Sequence, residues 1–358
     1  MEKFSKWRPF LPIQAPSGSP ALAALLPFSW LFGVARGLLL ALLGLLYFLI
    51  VQLILTPLGA VGHPLASLLT AVLARLALGV LGYFWIRTET VSAKRGMRGV
   101  KQAIPAVKRG DLIIANWTSP VDVLYYAFGY NPTFLLPVFS SPALVDSAFG
   151  RGSGTGSASI LPPSSDSRCV GYVSLSPLSL IARSGELPPV AADVGGQKVY
   201  KTLAEARRAA SGPVVLFPEG TTSNGRALLR FGEGVINEEV GKDGMVWCKY
   251  IRHPAPTALT PSAAVSVPGP SSLFRLIAGL PLPREMAVRT LHPSAAPSSP
   301  SFLPSEVLNG LQGVKEDAAW RDACAVALAE TGKVRRVPGM GWAEKASFLA
   351  YYNARRRR

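Results

Sequence analysis

The chain is poor in the residues that build metal and disulfide frameworks. Its 358 residues contain only three cysteines and three histidines. Cys169, Cys248 and Cys324 are widely spaced and odd in number, so neither a disulfide framework nor a thiolate cluster is expected. Reduced, structural thiols in a reducing compartment fit better. His63, His253 and His292 lack ligand spacing, so no metal site is expected. Each precedes a proline, which predicts solvent-exposed turn residues, with His63 far from any motif. Charge is also scarce: 16% of residues are charged and 49% are apolar, too greasy for a disordered chain. Acidic residues are the rarer sign, 21 against 37 Lys and Arg, giving +16. The expected partners are therefore anionic: a membrane surface, phosphorylated substrates or nucleic acid. The positive charges are dispersed, with no zinc, helix-turn-helix or RNP pattern, so nucleic acid is not expected. No internal repeat is visible, and the length suggests about two domains.

Long apolar runs are plentiful. Residues 37–56 form a twenty-residue stretch with ten leucines and Gln52 as its one markedly polar side chain, enough to span a bilayer. Residues 65–86 form a second run whose one charge, Arg75, would cost roughly 2.5–3.5 kcal/mol at the bilayer midplane, offset by the run's Leu, Ile, Val and Phe. Between them, Pro57, Gly59, Gly62 and Pro64 predict a reversal, hence a helical membrane hairpin. Buried core helices and a hairpin embedded in one leaflet carry the same signature. Lys3, Lys6 and Arg8 upstream, and Lys94, Arg95, Arg98, Lys101, Lys108 and Arg109 downstream, place both ends in the cytosol. The late start, the length and the second run argue against a cleavable signal. Residues 22–32, interrupted by Pro27, are expected to lie in the interface plane.

From about Thr88 the pattern changes to short β-type runs and amphipathic helices, predicting an α/β domain with a mixed sheet flanked by helices. Strands are expected at 112–115, 213–217, 246–250 and 287–291, and helices at 198–210 and 315–330. Residues 150–168, 253–272 and 292–305 have the Ser/Pro/Gly/Ala composition of flexible surface insertions. The divisions are 1–35, an N-terminal interfacial segment; 36–87, the hairpin; 88–335, the α/β domain with its Ser/Pro-rich insertions; and 336–358, a basic C-terminal tail whose final arginines suit anionic headgroups.

Residues 217–231 read FPEGTTSNGRALLRF, a strand end followed by a polar turn able to offer backbone N–H groups and guanidinium forks to phosphate. The run resembles the third motif of the glycerolipid acyltransferase superfamily, and its Thr-Ser-Asn continuation is similar to the lysophospholipid branch. About a hundred residues earlier, Asn116-Trp117-Thr118-Ser119-Pro120-Val121-Asp122 matches the superfamily's Asn-His-x-Ser-x-x-Asp form at Asn116, Ser119 and Asp122. Trp117 stands where the histidine would be, and an indole N–H cannot act as a base. The N-terminal MEKFSKWRPF, the hairpin, both motifs and residues 334–352 together resemble fungal lysophosphatidic acid:oleoyl-CoA acyltransferases.

That resemblance implies an acyltransferase fold and an acyl-CoA-dependent 1-acylglycerol-3-phosphate O-acyltransferase. It implies transfer from oleoyl-CoA to lysophosphatidic acid at the endoplasmic reticulum membrane and lipid droplet, with the catalytic domain facing the cytosol. Acyl-CoA enters as a substrate, and no cofactor is implied. The expected catalytic residues are Asp122, Ser119 and Glu219. Asp122, desolvated beside the indole, is the candidate base, with capping of the following helix as its alternative role. Glu219 is expected to organise the loop through backbone or threonine hydrogen bonds. Asn116, Trp117, Gly220, Thr221, Thr222, Arg226 and Arg230 are expected to bind substrate. Arg183 is the candidate for the family's second, phosphate-binding motif. The competing reading, from another class, is a catalytically silent relative that binds lipid or recruits partners.

Overall fold

Burial alternates along the strand at 112–115, and that alternation divides the core into two layers. Leu112 and Ile114 join one buried cluster while Ile113 and Ala115 join another, as side chains alternate across a sheet. The computed structural model describes residues 7–16, 26–91, 104–143, 167–236, 240–242, 244–309 and 318–356. Its strands are β1 (Trp85–Val91), β2 (Leu112–Ala115), β3 (Thr133–Phe139), β4 (Cys169–Leu175), β5 (Val199–Tyr200), β6 (Val214–Leu216), β7 (Ala227–Leu229), β8 (Val246–Arg252), β9 (Glu285–Leu291) and β10 (Arg335–Val337). Eight form a sheet in the order β1-β9-β8-β2-β6-β3-β4-β5, and β7 pairs separately with β10. The centre is parallel, β2 lying between β6 and β8, while the β8/β9, β3/β4 and β4/β5 pairs are antiparallel. The domain is thus α/β with a mixed sheet flanked by helices.

The helices are α1 (Leu26–Leu46), α2 (Gly59–Val80), α3 (Pro120–Tyr130), α4 (Pro177–Ala182), α5 (Leu203–Ala209), α6 (Pro270–Ile277), α7 (Pro304–Val307), α8 (Ala319–Gly332) and α9 (Trp342–Arg356). A π-helical stretch, Tyr47–Leu55, extends α1 and meets α2 through the turn Thr56–Leu58. Gly59 takes φ 57°, ψ −128° there, a conformation open to glycine because it has no Cβ. Val51 and Leu55 then bury against Ala66, so the chain doubles back. By length and composition the stretch Pro27–Val80 is long and apolar enough to cross a membrane. The far end of α2 is anchored differently, with Ala74 and Leu78 joining α3 on one face of the sheet. α8 covers the other face, contributing Ala323, Cys324 and Leu328.

Several expectations need correction. Arg75 does not project as a lone charge in mid-span. It donates from Nη1 to Tyr83 O at 2.9 Å and from Nη2 to Phe84 O at 2.7 Å, satisfying the carbonyls where the chain leaves α2. The helix expected at 198–210 begins at Leu203, because Thr202 caps it by accepting from Glu205 N, and Val199–Tyr200 pairs with β4 instead. The helix expected at 315–330 spans Ala319–Gly332; 315–317 lie outside the described residues, as do 150–166 and 17–25. Strands β1, β3 and β4 were not expected, and β1 straddles the boundary drawn at 88.

Residues 253–272 are not a surface insertion throughout: Ala263, Val265, Ser266 and Val267 are buried. Within 292–305, Ala296 and Phe302 are buried as well. The segment read as a C-terminal tail is largely a docked helix, with Trp342, Ala343, Lys345 and Phe348 buried. The Phe348 ring packs, tilted, at 5.8 Å from both Trp7 and Phe10 of the N-terminal segment. The three cysteines are free thiols.

Candidate functional site

Ser119-x-x-Asp122 is a capping-box spacing, and it starts α3 as such a box should. Ser119 Oγ accepts from Val121 N at 3.1 Å. Asp122 Oδ2 accepts from Thr118 N at 2.8 Å, Ser119 N at 2.9 Å and Thr118 Oγ1 at 3.0 Å. The preceding amide, Trp117 N, donates to Glu219 Oε2 at 3.2 Å, and Glu219 Oε1 accepts from Leu229 N at 2.8 Å. Three successive backbone N–H groups are thus divided between two carboxylates from segments a hundred residues apart. The turn bearing Asp122 and the loop bearing Glu219 form one buried unit.

The second oxygen of Asp122 faces a residue that sequence reasoning placed in solvent. His253 Nε2 lies 2.6 Å from Asp122 Oδ1, the imidazole 7% exposed and the carboxylate fully buried. His253 Nδ1 is buried with no hydrogen-bond partner among the described residues. The ring of Tyr83 meets the imidazole edge-on at 6.0 Å.

The sheet explains how a histidine 131 residues away reaches this carboxylate. β2 and β8 pair in register up to Ala115↔Lys249. Asn116 then continues the ladder with its side chain, Nδ2 donating to Ile251 O at 3.0 Å and Oδ1 accepting from Ile251 N at 2.7 Å. An amide side chain so used imitates a peptide group, and it aims the residues just after β8 across the start of α3. Asn116→Ala is expected to lower stability by about 1–3 kcal/mol, since it leaves two buried backbone groups unpaired. It should also loosen the His253–Asp122 contact, read as faster amide hydrogen exchange at residues 251–253. Unchanged exchange there would refute the positioning role.

The expected substrate-binding set divides sharply. Asn116 is structural, as just described. Trp117 is a core side chain, 1% exposed and stacked on Phe217 at 5.2 Å. Ser119 is occupied as a helix cap. Thr221 and Thr222 are fully buried and donate to Glu186 O and Val265 O. Gly220, at φ +69°, makes the turn where a Cβ would press on Pro188 at 3.2 Å. Arg230 is buried and pairs with Glu344 of α9 at 3.3 Å, so it is turned into the fold and not to solvent. Arg183 ends α4 and makes no side-chain hydrogen bond or ion pair to a described residue. Among the loop's candidates only Arg226 is exposed.

What holds the loop is a residue with no local signal in its neighbourhood, Lys345 of α9. Lys345 Nζ, fully buried, donates at 2.7 Å to both Thr221 Oγ1 and Thr222 O. Burial pushes the Glu219 carboxyl up to about 8, against the pull of its two backbone donors and Lys345. Burial also draws the Lys345 ammonium down to about 7, with Glu219 opposing. Asn224 ties the same loop to the N-terminal segment, its Nδ2 donating to Leu11 O at 3.0 Å and its backbone N to Pro9 O at 2.9 Å.

Two cavities flank α6. One, of about 480 Å³, is lined almost wholly by apolar side chains of α1 to α4 and α6, among them Leu40, Leu73, Leu124 and Leu178. The other, of about 1580 Å³, carries Arg8, Arg226 and Arg275 and no acidic residue. Pro270 and Phe274 border both. No group of three or more potential metal ligands occurs among the described residues.

Compared with known proteins, the chain matches no family model, no curated protein and no solved structure.

Proposed function

We propose that this protein is a membrane-held acyltransferase that moves an acyl group from an acyl-CoA thioester to the free hydroxyl of lysophosphatidic acid. The observation that carries the reading is the joining of the two motif segments. Trp117 N on the Asp122 turn is bonded to Glu219 of the FPEG loop, as expected if the two runs serve one site. The surroundings support it. Substrates of this reaction are amphiphiles with a long alkyl chain and several phosphates. An apolar cavity and an arginine-bearing groove on either side of one helix suit those two halves. The apolar side chains that α1 and α2 leave exposed, Leu38, Leu42, Leu53, Val61 and Leu68 among them, suit burial in lipid. A hairpin in the bilayer would hold the domain where both substrates partition, and the basic surplus favours an anionic leaflet. The acyltransferase fold, the oleoyl preference and the endoplasmic reticulum and lipid-droplet location are carried by the resemblance of the motifs.

The assay is phosphatidic acid formation by purified full-length protein in mixed micelles with oleoyl-CoA and lysophosphatidic acid. Wild-type turnover is expected, and Asp122→Asn is expected to reduce it by roughly 10²-fold or more. Absence of product across a panel of lysolipids and acyl-CoAs would sink the transferase and favour the silent lipid-binding reading.

A further inference from the structure

The motif histidine is replaced, yet a histidine is present at the motif aspartate. Asp122 uses its two oxygens for different tasks. Oδ2 accepts three hydrogen bonds from the turn that starts α3, and Oδ1 is left for His253. A cap alone needs only the first set. With a carboxylate accepting from Nε2, the neutral imidazole carries its hydrogen there, and Nδ1 is left as a bare lone pair. That lone pair is buried and without a hydrogen-bond partner among the described residues. An unpaired acceptor in a buried polar site carries a desolvation cost, which a donor entering the site would remove.

The geometry points to His253 as the general base of the reaction, its Nε2 hydrogen held by Asp122 and its Nδ1 taking the proton of the acceptor hydroxyl. This rests on the acyl-transfer reading above. The hydroxyl oxygen attacks the thioester carbon, a C–O bond forms, and the hydroxyl proton passes to Nδ1. The imidazolium so formed is paired with Asp122. Collapse of the tetrahedral intermediate breaks the C–S bond, and the departing thiolate takes the proton back, leaving ester, coenzyme A thiol and neutral His253. Asp122 cannot replace it as base, because both its oxygens are already engaged.

His253 opens a segment that lies over the site. Val265 N donates to Thr118 O at 2.9 Å, and Thr222 Oγ1 donates to Val265 O. Residues 253–268 include four prolines.

Asp122 pairs with the imidazole and the ring of Tyr83 meets it edge-on, the Tyr83 phenol facing Arg284 in turn. Burial pushes Tyr83 up to about 12 and raises Tyr126 and Tyr250 as well, so the phenols do not titrate near neutrality. Glu219, at about 8, does.

The test compares full-length wild type, His253→Gln and His253→Ala in the micelle assay, with melting temperatures alongside. His253→Gln, which can still donate to Asp122, is expected to lower kcat by roughly 10²–10⁴-fold, with KM changed only a few-fold. Added imidazole is expected to restore part of the activity of His253→Ala. Wild-type-like kcat in His253→Gln, with wild type active and Asp122→Asn inactive, would overturn His253 as base and leave the transferase reading standing. A wild type without activity on any substrate pair would overturn both. Nitrogen-15 NMR of the wild-type imidazole reads the arrangement without turnover: a hydrogen on Nε2 and a bare Nδ1 are expected, and a neutral ring protonated on Nδ1 would overturn the assignment.

Discussion

Glu219→Gln is expected to destabilise the fold and to cut acyl transfer by on the order of 10²-fold, the scale on which small displacements of a site act. Both Glu219 oxygens accept backbone N–H groups, from Trp117 and Leu229. A glutamine offers one oxygen and turns an NH₂ toward the other donor. Leaving that buried N–H unpaired costs about 1–3 kcal/mol, measured as a lower midpoint in chemical denaturation. The loss should depend on pH in a set direction. The Glu219 carboxyl is raised by burial from 4.5 to about 8. Its proton-linked contribution is therefore complete below the unfolded value and declines as pH rises through the folded one. Wild type's advantage over Glu219→Gln should narrow as pH rises between 5 and 8. An advantage that is flat or widens over that range would rule out burial as the dominant influence on this carboxyl.

Lys345→Met should act on the same loop from the opposite end of the chain. Removing the ammonium leaves Thr222 O without its 2.7 Å donor and takes from Thr221 the second of its partners. Leaving those buried acceptors unpaired costs about 1–3 kcal/mol. The lysine also opposes the rise of the Glu219 carboxyl, so its loss should move that titration to higher pH. Phe348→Ala, on the same helix α9, is the comparison. It opens a cavity beside Trp7 and Phe10 at a cost of about 3–5 kcal/mol, without touching the Glu219–Lys345 charges. If both variants lose stability but neither moves the Glu219 titration, the electrostatic link between loop and α9 is wrong.

The core strands were legible because they are short, fully apolar and bounded by turn residues. The predicted 112–115 and 213–217 became β2 and β6, which lie side by side. β3 and β4 were missed. Their pairing is sequence-distant and includes a register shift at Val138/Phe139, which leaves no clean period to read. Arg230, Thr221 and Thr222 look like ligand-facing residues in a polar loop. They are buried because α9 and the N-terminal segment close over that loop, and neither contact leaves a periodic trace. His253 was misjudged because a proline follows it and its neighbours have loop composition, whereas its place is set by Asn116 holding Ile251.

From residue order alone come the apolar stretches ahead of the sheet, the central strands, and the pair of motif segments that carry Asp122 and Glu219. These are local properties, set by side-chain hydrophobicity, turn chemistry and spacing along a few residues. The choice of histidine belonged to the tertiary structure. Pairing β8 beside β2 brings together groups 131 residues apart, and a register between distant strands is decided by the packing of the whole sheet.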